Sequence, residues 1–330
     1  MLMQAPVMAL LAVAWLGALT LLWAGAFGLQ LLRHWNPASG APRQLLLERQ
    51  TELVATLVGQ LLAWQGAALL LMVVNADRTA PLLVGAMCAF GSFNASVWGF
   101  PALYAKLSLF FAAGAWLALQ RADRAAPDWP LTRRSYRLLL AVLLPLALAD
   151  AALSTLYFTD LQPDTLTACC GSSFHPEHVG LAAEASAVAP ATALWALAIG
   201  LVVVLAWGAL ASRVAALAPA YGLASLGFLG LGLLAVVAAI SPYVYESPHH
   251  HCPFCVLKRE YDHVGFVLYL PLFIGASAGL ASGLLSWRPP AHLDAPLQRQ
   301  TRRLRAVSMA SFALFALVGA GLVVRSGLRL

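Results

Sequence analysis

A chain of 330 residues in which 61% are hydrophobic and only 10% are charged falls outside the soluble globular class, where about a quarter of residues carry charge. Its 20 basic and 14 acidic residues leave a formal net charge of +6, which the arginines of short loops explain without any nucleic-acid partner. The composition predicts an all-α, polytopic integral membrane bundle, because backbone in lipid must satisfy its own hydrogen bonds.

Spans need about 20 mostly apolar residues each. Eight stretches qualify, at roughly 6–31, 52–74, 101–120, 137–158, 189–211, 220–242, 264–286 and 306–324. The breaks between them are short, polar or rich in Pro and Gly, so a single transmembrane domain over 1–330 is expected. The opening run "MLMQAPVMALLAVAWLG" has no Lys or Arg ahead of its apolar core and reads as an uncleaved span rather than a signal peptide.

Loop charge gives the orientation. Loops 33–50, 121–137, 212–219 and 288–305 hold 14 basic residues, whereas 76–100, 159–188, 243–263 and the C-terminal tail hold 5. The positive-inside rule then predicts both termini on the outer, periplasmic side of a bacterial-type inner membrane.

Spans three and four each carry a charge, Lys106 and Asp150, at similar depth below the outer side. Intramembrane charges are costly and usually partnered. An ion pair between adjacent helices is one expectation, and a proton-handling or quinone-contacting pair is the other. The glycine-rich runs "GLASLGFLGLGLL" and "GLASGLLSW" predict close helix packing.

All five cysteines fall in the three outer loops, 76–100, 159–188 and 243–263, and six of the eight histidines join them. These loops are expected to form a Cys/His-rich cap on an oxidising face. The first, "VGAMCAFGSFNASVWGF", sets Met87 beside Cys88 and is apolar enough to pack on the bundle. The second, "TACCGSSFHPEH", holds the vicinal Cys169 and Cys170, then His175 and His178. The third, "SPHHHCPFCVLKREYDH", carries His249, His250, His251, Cys252, Cys255 and His263. It reads as the opening of the seventh span. There a helix N-terminus would lower the Cys252 thiol pKa and make it the nucleophile, with Cys255 resolving. Pro253 suits a first turn.

The same atoms serve three chemistries. Paired cysteines on an oxidising face suit thiol–disulfide exchange, with electrons passing between Cys169/Cys170 and Cys252/Cys255 and onward to a thioredoxin-like partner or a membrane quinone. Thiolates with imidazole and thioether suit copper(I) or zinc. That site would draw on Met87, Cys88, Cys169, Cys170, His175, His178, His251, Cys252, Cys255 and His263, with a metallochaperone as the natural partner. In the third chemistry, disulfides merely staple the loops of a non-catalytic membrane subunit, a count that leaves Cys88 over. No phosphate loop, Ser-His-Asp order, haem-attaching Cys-x-x-Cys-His or Rossmann fingerprint occurs.

The arrangement resembles that of membrane disulfide oxidoreductases of the vitamin K epoxide reductase type. Those set a Cys-x-x-Cys at the outer end of a span and a second cysteine pair in another outer loop. The resemblance implies the first role for Cys252 and Cys255 and the second for Cys169 and Cys170. The chain departs from that type in having about twice as many spans, and in the adjacency of its loop cysteines.

Overall fold

The computed structural model describes residues 2–36, 39–125, 131–163, 167, 181–287 and 294–329. Regular structure among them is helical, with no strand. Eight helices are long and apolar enough to cross a membrane: α1 (Ala5–His34), α2 (Pro42–Leu82), α3 (Gly99–Arg124), α4 (Thr132–Asp160), α5 (Pro190–Ala211), α6 (Ala215–Tyr245), α7 (Val264–Ser286) and α8 (Leu297–Arg325). They coincide with the eight stretches expected from the sequence. Most run past the apolar core into polar sequence, since backbone hydrogen bonding does not stop where the hydrocarbon does.

The chain divides into two compact units. The first comprises Met1–Asn75, Ser96–Pro163 and Arg288–Gln300. Its core gathers Leu21, Leu31, Val58, Leu62, Trp116, Tyr136, Leu139 and Leu143 from the first four helices. Within it, Lys106 Nζ donates to Asp150 Oδ2 at 2.9 Å, and both side chains are buried. The ion pair expected from their matching depths is therefore present. Ser154 Oγ supplies Asp150 Oδ1 with a longer contact of 3.4 Å. Asp123 accepts from the Leu131 amide at 2.7 Å and from the Thr132 hydroxyl at 2.5 Å, so it caps the start of α4.

The second unit comprises Ala76–Ala95, Asp164–Trp287 and Thr301–Leu330. The glycine-rich runs pack as expected: a Cβ on Gly283 would stand 2.7 Å from the Gly222 Cα, so α6 and α7 touch backbone to backbone. Buried Phe228 of α6 packs against buried Phe312 and Phe315 of α8.

Two spans contain a π-wound turn, Leu139–Leu143 in α4 and Val236–Ile240 in α6. Each lies just ahead of a proline, Pro145 or Pro242. Proline has no N–H to donate and crowds the carbonyl four residues back, and a wider turn relieves that crowding. In i→i−5 geometry residue 242 would donate to the Val237 carbonyl. Pro242 leaves that acceptor open, and His251 Nδ1 takes it at 3.0 Å.

Candidate functional site

The site is built entirely within the second unit, from the end of α2, the loop that follows it and the loop between α6 and α7. Beyond α2 the chain makes a tight reversal at Gly85, whose φ of +89° is left-handed and whose added Cβ would strike the Thr167 carbonyl oxygen. Thr167 is held on this reversal twice. Its amide donates to the Val84 carbonyl at 3.0 Å, and its hydroxyl donates to the Gly91 carbonyl at 3.0 Å.

A short helix, Ala89–Asn94, follows. The Ser92 hydroxyl donates to the Ala76 carbonyl at 2.6 Å and pins this helix to the end of α2. The apolar loop expected to pack on the bundle does so: Cys88, Ala89, Phe90 and Phe93 are all buried.

The Cys-Pro-Phe-Cys loop meets it through Phe254. The Phe254 ring centre lies 5.8 Å from that of Phe93 and 6.4 Å from that of Phe90, separations typical of favourable aromatic pairs. Lys258 ties the two loops a second time, its Nζ donating to the Met87 carbonyl at 2.9 Å. Two tyrosines fix the cysteine backbone. Tyr245 Oη donates to the Cys252 carbonyl at 2.6 Å, and Tyr269 Oη donates to the Pro253 carbonyl at 2.7 Å. His250 stacks on Tyr245, its ring centre 4.0 Å from that of the tyrosine. The Tyr261 ring stands 4.5 Å from that of Tyr245. Burial pushes the Tyr261 phenol up from its ordinary range, with Cys255 and Glu260 adding to the effect and Lys258 opposing it, so it stays protonated at neutral pH.

The outcome is a convergence of three sulfurs. Cys88 Sγ lies 3.5 Å from Cys252 Sγ, well beyond the bond of about 2.05 Å in a disulfide. With Cys255 Sγ included, all three atoms lie within 4.8 Å of one another. Cys88 and Cys252 are 0% exposed and Cys255 is 6% exposed.

The helix-start account of Cys252 does not survive. Cys255–Leu257 and Arg259–Tyr261 are short 3₁₀ turns, and α7 begins only at Val264. Asp262 and His263, with φ of 51° and 54°, turn the chain through the left-handed region before that helix starts. Cys252 is therefore not in the first turn of α7, and its side chain is sealed from solvent rather than presented to it.

The other expected donors divide into three groups. His251 and His263 stand apart from the trio, their Nδ1 atoms at 3.0 and 2.8 Å from the carbonyls of Val237 and Leu257. A carbonyl only accepts, so each Nδ1 carries a proton. Met87 adjoins Cys88 but is 71% exposed. Cys169, Cys170, His175 and His178 lie outside the described residues. Lys106 and Asp150 belong to the first unit.

Sequence reasoning missed the aromatic supports: Tyr245, Tyr269, Phe90, Phe93 and Phe254. Aromatic residues on either side of a cysteine motif were the available signal. Comparison of the chain with protein-family models, with curated proteins and with solved structures gives no match.

Proposed function

We propose that this chain is a multi-pass membrane protein that holds a soft metal ion, copper(I) or zinc(II), on the thiolates of Cys88, Cys252 and Cys255. The observation that carries this reading is the mutual approach of the three sulfurs within 4.8 Å. With metal–sulfur bonds of about 2.3 Å, three thiolates around one ion stand about 4 Å apart. Thiolate donors select copper(I) and zinc over harder cations. A closed, buried ligand set also suits a held ion better than exchange with an incoming protein disulfide, which needs an accessible thiolate. Three thiolates leave a net charge of −1 around zinc and −2 around copper(I). Lys258, bound to the carbonyl next to Cys88, offsets part of it. The loop-charge bias would set this site on the periplasmic side, within reach of a metallochaperone.

The test is elemental analysis of the purified protein beside thiol counting by alkylation and intact mass. One equivalent of copper or zinc is expected, with three thiols that alkylate only after a chelator is added. Metal-free protein with three freely alkylating thiols would refute the reading.

A second reading is favoured by the 3.5 Å approach of Cys88 Sγ to Cys252 Sγ. A small side-chain rotation would let the two thiols join as a disulfide, giving two electrons and two protons to an acceptor disulfide or quinone. Thr167, anchored on the Cys88 loop, precedes the Cys169–Cys170 pair by two residues in sequence, which suits a relay between the pairs. Metal-free protein with a reversible Cys88–Cys252 disulfide would select this reading.

A further inference from the structure

Arg305 is a buried cation for which the described residues supply no carboxylate. It lies near the start of α8 and is 3% exposed. Its Nη1 donates to Ser212 Oγ at 3.2 Å, and its guanidinium carbon stands 5.8 Å from the centre of the Tyr221 ring. Its Nε is also buried and has no hydrogen-bond partner. The serine and the ring face lower the cost of burial, but neither neutralises the charge. The ion pair found among the described residues, Lys106 with Asp150, lies in the other unit.

The open donor is the informative one. The Nε–H shares the side edge of the guanidinium with Nη2, the edge by which arginine grips two oxygens of a phosphate. Positive charge gathers around it. Exposed Arg302 sits one turn earlier on the same helix face, and exposed Arg213 adjoins Ser212. Apolar side chains flank these arginines: Leu210, Val214 and Val307 are all well exposed. A free anion has no use for that apolar skin, whereas acyl chains do. The site also lies where α5 ends and α8 enters the apolar region, the depth at which headgroups meet a span.

We propose that Arg305, with Ser212, Arg213 and Arg302, binds a phosphate oxyanion supplied by an anionic phospholipid of the surrounding bilayer. The inference is independent of the metal reading, because it uses none of the residues around the sulfurs.

The test compares full-length protein in nanodiscs of phosphatidylcholine with protein in nanodiscs that also contain phosphatidylglycerol. Melting temperature is followed, and retained lipid is read by native mass spectrometry after detergent extraction. Phosphatidylglycerol is expected to raise the melting temperature and to be retained at one equivalent. Arg305→Gln should lose both effects, and Arg303→Gln, on the opposite helix face, should keep both. Arg305→Lys guards against a folding defect, because it keeps the charge while losing the two-pronged edge; it should lose most of the shift. Inorganic phosphate added to phosphatidylcholine nanodiscs should change nothing. The proposal is overturned by wild-type protein that retains no anionic lipid, or by a shift that persists in Arg305→Gln and Arg305→Lys. Equal stabilisation by inorganic phosphate also overturns it, since the site would then serve a free anion.

Discussion

Cys88 and Cys252 are 164 positions apart in the chain, yet their sulfurs approach to 3.5 Å in a fully buried setting. Nothing local brings them together. One loop is fixed by Ser92 on the end of α2, the other by Tyr245 and Tyr269, and the two are joined by Phe254 and Lys258. Converging supports of this kind are what a precise ligand set requires.

The first prediction is that Cys88→Ser lowers metal affinity more than any change to a supporting residue. Loss of an outer support typically costs about 10–100-fold in affinity, and loss of a ligand should exceed that range. Titration against a competing chelator measures it. Binding displaces thiol protons, so affinity should fall as pH falls. An unchanged affinity in Cys88→Ser would remove Cys88 from the site.

The second concerns the tyrosines. Tyr245→Phe and Tyr269→Phe each delete one hydrogen bond to a carbonyl of the Cys252–Pro253 segment and leave the ring. The stability cost should be small, about 1 kcal/mol apiece. The effect on metal affinity should be larger, about tenfold, because these residues position the sulfur backbone. Thermal melts run with and without metal separate the two quantities. A variant that loses stability equally in both states marks the tyrosine as structural only.

The long helices were readable because an apolar run of sufficient length has one structural outcome in lipid, and eight helices long and apolar enough to cross a membrane are present among the described residues. The placement of Cys88, Cys252 and Cys255 in loops that charge bias assigns to one side hinted at convergence, although no spacing motif links residues 88 and 252. The apolar run from 264 was readable as α7, but the stretch that links Cys252 to it was not. "CVLKREYDHVGF" contains no proline to break it before Val264, and the turn is made instead by Asp262 and His263 in a left-handed conformation that their side chains only weakly advertise. The role of His251 was half visible. Pro242 announces an unfilled carbonyl on α6, but which residue would fill it depends on how the following loop folds.

The third prediction tests the sidedness that loop charge implies. The native thiols near the site are too buried to report it, so exposed positions must serve. His249→Cys, in the exposed stretch before the cysteine motif, should react with an impermeant maleimide in intact cells. Ala216→Cys, exposed in the first turn of α6, should react only after permeabilisation. The reverse pattern would invert the topology and move the sulfur cluster to the reducing side of the membrane.

The last prediction asks what the Lys106–Asp150 pair does within the first unit. A buried pair is weak evidence for stability, since replacing both partners with apolar groups of similar size is often neutral or stabilising. Removing only one leaves a buried charge unmatched and costs about 3–5 kcal/mol. Lys106→Met and Asp150→Leu should therefore each be strongly destabilising, while the double variant Lys106→Met/Asp150→Leu should recover most of the loss. Unfolding followed in a double-mutant cycle gives the coupling directly. If the pair is purely structural, the double variant should also bind metal like the wild type. If it handles protons or contacts a quinone, the double variant should fold normally and yet fail in proton uptake or quinone reduction. Recovery of stability together with loss of those activities would make the pair functional. Recovery of everything would leave it as a joint between α3 and α4.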